Sequence, residues 1–394
     1  MAGRSPFAHL WPLDPAVSYL NHGSFGACPR AVLERQSALR AALEREPVDF
    51  LWRSLPGRLA AARDALGAFL GAKPDDLALV PNATTGVNAV LRSLELGAGD
   101  ELLTTSHVYA ACRKAMEYVA TRAGARVVVA EVPFPVPGED DVVAPVLSAV
   151  TSRTRLALLD HVTSPTALVF PVERLVAALR ERGVETLVDG AHAPGMVPLD
   201  LDGLGAAFYT GNAHKWLCAP KGAAFLHVRR DLQQTVHPTV ISHGYSTEPD
   251  GATFRAEFDW TGTADPTPWL CVGDAIAYVR SLLPGGWPEV MAANHALALE
   301  ARTLLCETLG TAAPAPAAMI GSIASVPLPA PAPGSPAEGL SHEGLLEWFR
   351  RRGVETWLTP WPCAGGKAIR VSAQLYNARG EYVRLAELLA EALG

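Results

Sequence analysis

Tyr209-Thr-Gly-Asn-Ala-His-Lys215-Trp-Leu-Cys-Ala-Pro-Lys-Gly222 sets one of the chain's few lysines beside a histidine, inside a run of small and apolar residues. Only five lysines (Lys73, Lys114, Lys215, Lys221 and Lys367) occur among the 33 Lys and Arg residues, so arginine carries the routine surface charge. A lysine amine forms a Schiff base with a carbonyl; an arginine does not, because its guanidinium stays protonated and is a poor nucleophile. Read alone, Lys215 is equally a surface lysine at a helix start. Its surroundings decide.

Working outward, Ala206–Thr210 and Gly222–Leu226 flank the motif as short apolar strands. Five more precede them: Asp76–Val80, Glu101–Thr105, Arg126–Ala130, Leu156–Asp160 and Thr186–Asp189. Apolar residues at i+3/i+4 spacings predict helices between Pro29 and Gly71, and further helices at Val87–Leu94, Ala110–Ala123 and Val172–Arg182. Residues 133–138 read as a Pro-rich loop. Strands alternating with helices give an α/β fold, with a mainly parallel seven-stranded sheet between helix layers. After about Pro284 the texture changes. A helix at Pro288–Leu309, a Pro/Ala segment (312–336) with a strand near Met319–Val326, a helix at Ser341–Arg352, a strand at Ala368–Ser372 and a helix at Glu381–Leu393 predict a smaller α+β domain. The expected division is an N-terminal segment over 1–30, a large domain over 31–283 and a small one over 284–394.

The bulk properties narrow the function. A net charge of −7 offers no basic face for nucleic acid. No basic start followed by an apolar run marks a signal peptide, and no stretch of about 20 apolar residues would span a bilayer. Six scattered cysteines without Cys-x-x-Cys spacing argue for reduced thiols in the cytoplasm and against a zinc site. Richness in Ala, Arg and Pro with scarce Lys is the usage of a GC-rich bacterial genome.

Polar clusters follow several strand ends, where open α/β sheets place their ligands. Asp189 ends one strand and opens Asp189-Gly-Ala-His-Ala-Pro-Gly195. A buried carboxylate there needs a cation, and a pyridinium would be one, although Asp-Gly is also a turn signal. His192 is within reach of the same ligand, at a ring oxygen or over the ring. Asn82-Ala-Thr-Thr-Gly86 brings hydroxyls and a helix N-terminus that suit a phosphate, with helix capping by Thr84 or Thr85 as the plain alternative. Ser106-His-Val-Tyr109 provides His107 or Tyr109 to stack on a ring, and the sequence does not choose between them. Asn212 and His214 approach the phosphate from the other side. Lysine, carboxylate, phosphate cup and stacking group are the parts a pyridoxal 5'-phosphate enzyme requires.

The ordered set Asn-Ala-Thr-Thr-Gly, Asp-Gly-Ala-His and Thr-Gly-Asn-Ala-His-Lys-Trp-Leu-Cys-Ala-Pro-Lys-Gly closely resembles the class V aminotransferase-like group of fold-type I pyridoxal phosphate enzymes. Within that group it is similar to the isopenicillin N epimerase-like branch, which includes hercynylcysteine sulfoxide lyases. Tyr19-Leu-Asn-His-Gly-Ser-Phe-Gly26, His161-Val-Thr-Ser-Pro-Thr166, Trp260-Thr-Gly-Thr-Ala-Asp-Pro-Thr267 and Arg370-Val-Ser-Ala-Gln-Leu-Tyr-Asn377 extend the resemblance from about residue 18 to the C-terminus. It implies Lys215 as the Schiff-base lysine, Asp189 at the pyridinium, His192 near the ring oxygen, and Thr84, Thr85, Asn212 and His214 at the phosphate. It further implies a homodimer with shared sites, Thr263 reaching the neighbouring subunit's phosphate, Arg370 binding a substrate carboxylate, and Asn21 and His22 closing the pocket. The expected activity is carbon–sulfur lysis of an S-substituted cysteine. Epimerisation of an amino-acid centre is the alternative, with His22, His192 or Tyr109 as second acid; transamination, desulfuration and a non-catalytic binding protein come behind. Cys363, seven residues before Arg370, is a poor match in context to the mobile cysteine of cysteine desulfurases.

Overall fold

A computed structural model describes residues 4–246, 254–360 and 366–394. Cys363 lies outside the described residues. Ser18–Tyr19 forms a short strand, β1. The seven strands of the main sheet are β2 (Leu77–Val80), β3 (Glu101–Thr105), β4 (Arg126–Ala130), β5 (Thr154–Asp160), β6 (Glu185–Asp189), β7 (Phe208–Asn212) and β8 (Ala224–Val228). Their order is β2-β8-β7-β6-β5-β3-β4. The β7/β6, β6/β5, β5/β3 and β3/β4 pairs are parallel, and β8 runs antiparallel to both β2 and β7. The expected α/β fold is therefore present, with one reversed strand.

Burial explains the consecutive apolar residues within these runs, such as Leu102-Leu103 and Leu156–Leu159. Leu77, Leu79, Leu103, Ala157 and Leu159 belong to one apolar cluster, whereas Ala78, Val80, Leu102, Leu156 and Leu158 belong to a second on the other face. Successive strand residues point to opposite faces, so a sheet covered on both sides cannot alternate apolar with polar.

Beyond the main sheet, β9 (Ile323–Leu328), β10 (Val354–Glu355), β11 (Trp357–Thr359) and β12 (Lys367–Ser372) complete the strands. A second, antiparallel sheet has the order β11-β12-β9. Ile323, Val371 and Leu385 share the first apolar cluster with Leu159, so one core joins the two sheets. β1 pairs in parallel with β10, and Ser372 N donates to Leu20 O at 2.7 Å. The N-terminal segment is thereby stitched to the C-terminal part of the chain.

Some expected boundaries move. The helix expected from Val87 runs from Ala83 to Ser93, because Asn82 caps it by accepting the Thr85 N–H at 2.8 Å. The helix Asp140–Ser148, with Pro145 inside it, follows the loop at 133–138. The strand near Met319–Val326 occupies Ile323–Leu328, after a 3-10 turn at Ala317–Met319.

The order of the strands places the site. Connections leave β3 toward one edge of the sheet and β5 toward the other, which opens a crevice beyond their C-terminal ends.

Candidate active site

A cavity of about 370 Å³ occupies that crevice. Residues that follow β2, β3, β5, β6 and β7 line it, and Ser24 and Phe25 reach it from the N-terminal segment. Lys215 is partly buried in its wall, with Nζ 3.2 Å from His192 Nε2. Burial, and then the positive charge of Arg370, lower the Lys215 pKa from 10.5 to about 7, against the opposing pull of Asp189. A large share of Lys215 thus carries a free amine at neutral pH, as a nucleophile toward a carbonyl requires. The turn that presents it is tightly seated. Gly26, at φ +69°, lies against it so closely that a Cβ there would run into the His214 carbonyl oxygen.

Asp189, at the end of β6, is buried; Oδ1 accepts the Ala191 N–H at 3.0 Å and Oδ2 accepts the Cys112 thiol at 3.2 Å. Among the described residues no ion pair involves it, and burial pushes its carboxyl upward. Asp160, aligned with Asp189 on the neighbouring strand, is also buried in the cavity wall and its Oδ2 has no hydrogen-bond partner. Buried His192 leaves Nδ1 without one. Burial and the nearby Lys215 charge hold His192 well below the usual histidine range, so it is neutral.

Thr84, Asn212 and His214 line the cavity. Asn212 Oδ1 accepts the Ala83 N–H at 2.9 Å and so fixes the helix Ala83–Ser93 against the end of β7. His214 sets Nδ1 3.0 Å from Ala223 O, and burial lowers its pKa to about 4. The neutral ring then donates from Nδ1. Arg370, on β12, is buried: Nη1 donates to Ser164 O at 2.6 Å and Nη2 to Ser24 Oγ at 3.0 Å, while Nε has no partner. Burial lowers its pKa to about 10, which leaves it charged at neutral pH.

The structure moves other expected residues away from the cavity. His107 is buried, with Nδ1 2.7 Å from Thr166 Oγ1 and Nε2 3.1 Å from Val132 O, whereas Tyr109 lines the cavity and is 42% exposed. The Thr85 hydroxyl turns back to Asn82 Oδ1 at 3.1 Å, because Asn82 caps the helix. His22 is buried with both ring nitrogens engaged, Nδ1 to Tyr376 OH at 2.9 Å and Nε2 to Lys215 O at 3.0 Å. Burial takes its pKa down to about 3, so it is no proton donor. Asn21 is buried beneath Ser24, whose hydroxyl donates to Asn21 Oδ1 at 2.6 Å; the serine faces the cavity. Thr263 is exposed and outside this chain's own cavity. Ser24, Ser164, Cys112 and Asp160 escaped the sequence reading. Asp160 carried a signal, since it ends a strand as Asp189 does.

These residues form one set. A free amine, a buried carboxylate without a cation, two orphaned buried polar atoms and a helix N-terminus face one cavity. Pyridoxal 5'-phosphate, with its aldehyde, ring nitrogen, ring oxygen and phosphate, suits that set.

Residues 42–346 match the family description "Aminotransferase class-V", and the chain belongs to that family of pyridoxal phosphate-dependent enzymes. The isopenicillin N epimerase of Amycolatopsis lactamdurans is 39% identical over 392 residues, covering 96% of each chain. A putative L-cysteine desulfhydrase 1 of Oryza sativa is 34% identical, over 83% of this chain and 69% of that protein. The solved cystine C–S lyase C-DES, in complex with cysteine persulfide, superimposes with a TM-score of 0.81 at 22% identity over 96% of this chain and 98% of its own, a likeness of fold.

Proposed function

We propose that this enzyme is a carbon–sulfur β-lyase that acts on an S-substituted cysteine in bacterial secondary or thiol metabolism. Lys215 is its Schiff-base lysine and Asp189 the partner of the ring nitrogen. His192 lies at the ring, Tyr109 stacks on it, and Thr84, Asn212 and His214 hold the phosphate. Arg370 takes the substrate's carboxylate in a charge-assisted pair. The protein acts as a cytoplasmic homodimer in which Thr263 reaches the neighbouring subunit's site. When bound, pyridoxal phosphate supplies an electron sink that makes the Cα proton of an amino acid removable. Lys215 Nζ takes that proton, the Cβ–S bond breaks, and the departing sulfur is protonated to the thiol. The aminoacrylate released hydrolyses with water to pyruvate and ammonia.

One observation carries the choice: a single base suffices for elimination, and the described cavity has one group suited to it. Epimerisation needs an acid on the opposite face. His22 is locked between Tyr376 and Lys215 O, and neutral His192 shares the Lys215 amine. Tyr109 remains, and burial raises its hydroxyl pKa. The 39% identity to an isopenicillin N epimerase supports the second reading, epimerisation, with Tyr109 as that acid. The test is to incubate the purified holoenzyme with cysteine S-conjugates and measure pyruvate. Pyruvate at turnover rates supports the lyase. No pyruvate, with solvent deuterium entering Cα, overturns it in favour of epimerisation.

A further inference from the structure

Asp160 and Asp189 are register partners on the parallel strands β5 and β6. Aligned residues of neighbouring strands lie about 5 Å apart and point to the same face. Both are buried, and both line the cavity that contains Lys215. Asp160 makes no ion pair among the described residues, and its Oδ2 has no hydrogen-bond partner. The groups around the pair are few. The Tyr109 backbone N–H faces the Asp160 carboxyl, the Cys112 thiol donates to Asp189, and Lys215 acts on Asp189 across the cavity.

Such an arrangement costs stability in the protein by itself. A buried carboxyl without a partner loses its hydration, and a second one alongside adds repulsion. Compensation for Asp160 is limited to backbone N–H groups, those of Tyr109 and of Asp160 itself; among the described residues no cation pairs with it and Oδ2 has no partner. Glu101, buried one strand away, shows the contrast, with Arg126, Arg153 and Thr151 all bonded to it. Asp160 lines the cavity, so a cationic partner for it can come from a group bound there.

We propose that Asp160 and Asp189 form a carboxylate pair at the ring-nitrogen end of the cofactor, with Asp189 as direct partner and Asp160 supplying a second negative charge behind it. The inference rests on the assignment of Asp189 made above. In the cofactor-free protein the pair cannot carry two charges side by side, and one proton stays on it. A cationic ring nitrogen removes that restriction, so Asp160 strengthens the hold on the protonated ring. Asp160 is a positioning residue for charge, acting on the ring together with Asp189 and not on the substrate.

The experiment compares Asp160→Asn, Asp160→Ser and Asp189→Asn with the parent enzyme. Pyridoxal phosphate dissociation constants are read from titration of the cofactor-free proteins. Ring-nitrogen protonation is read from the 15N shift of labelled cofactor, and stability from thermal melts of the cofactor-free proteins at pH 8. Both Asp160 variants are expected to weaken cofactor binding about tenfold, to move the 15N signal toward the unprotonated ring, and to raise the cofactor-free melting temperature by about 3 °C. A structural role for Asp160 would lower that melting temperature. A lower melting temperature in both Asp160 variants, or binding and 15N shift unchanged in both, overturns the proposal. If Asp189→Asn weakens binding while the Asp160 variants do not, only the role of Asp160 falls. If Asp189→Asn also leaves binding unchanged, the assignment beneath it falls too.

Discussion

The lowered pKa of Lys215 leads to a quantitative expectation for cofactor loading. With the group at about 7 instead of 10.5, about three quarters of the molecules present a free amine at pH 7.5, against roughly one in a thousand for an unperturbed lysine. Attachment at saturating pyridoxal phosphate should therefore rise with pH up to about 7 and level off above it. The assay is the growth of the visible Schiff-base band on mixing cofactor-free protein with the cofactor across pH 5.5–9.5, with Lys215→Ala as the control that forms none. Arg370 supplies the second-largest push on this lysine, after burial. Arg370→Met removes a like charge and should move the midpoint upward, each unit of movement slowing attachment tenfold on the acid limb. The same shift has a signature in stability. Because the folded-state pKa is the lower one, the unfolded chain binds the extra proton between about pH 7 and 10.5, so the Lys215 contribution becomes more favourable as pH rises through that window. An attachment rate still climbing tenfold per unit from pH 8 to 9.5, or one flat down to pH 5.5, would refute the reasoning.

Other substitutions separate scaffold from site. His22→Phe leaves Tyr376 OH and Lys215 O without their partners and should cost about 2–4 kcal/mol in denaturant unfolding; lost turnover at unchanged stability would instead restore an acid role for His22. Thr84→Val should weaken cofactor binding, whereas Thr85→Val should cost only about 1 kcal/mol of stability, since its hydroxyl serves Asn82. Equal losses of affinity in the two variants would contradict their different placement. Gly26→Ala should cost about 3 kcal/mol or more, from a positive φ and a collision with the His214 carbonyl, and should slow cofactor loading; an unchanged melting temperature would show that the turn gives way.

The sequence revealed the sheet because each buried strand is a short apolar run closed by a polar cluster, and both signals are local. Lys215, Asp189, His192, Thr84 and Asn212 stood at those closures, so a strand-end reading was enough to place them. Which of two neighbouring side chains turns inward was not readable. His107 and Tyr109 are separated by one residue, and the choice between them is made by Thr166 and Val132, which bond His107 from other parts of the chain. Likewise Thr85 was lost to Asn82 once the helix began at Ala83, ahead of its apolar periodicity. Asp140–Ser148 drew no helical reading, since Pro145 falls in its second turn, where a proline removes an i→i−4 hydrogen bond and argues locally against a helix.

Arg370 shows the limit more sharply, because its setting is assembled from three distant segments. Ser24 belongs to the N-terminal turn, Ser164 follows β5, and Arg370 lies on β12. Both serines are neutral partners. They orient the guanidinium without cancelling its charge, so the charge remains to lower the Lys215 pKa and to meet a carboxylate. The N-terminal turn has a second grip on the same lysine, through His22 on its carbonyl and Gly26 against His214. One short stretch, Asn21–Gly26, thus sets both the position of the amine and the orientation of the cation that tunes it. That coupling explains why β1 is tied to β10, and Leu20 to Ser372, rather than left as a loose arm. A displaced N-terminal turn would free Arg370 from Ser24 and loosen Lys215 at once, so loss of charge tuning and loss of lysine placement should occur together, as a single event.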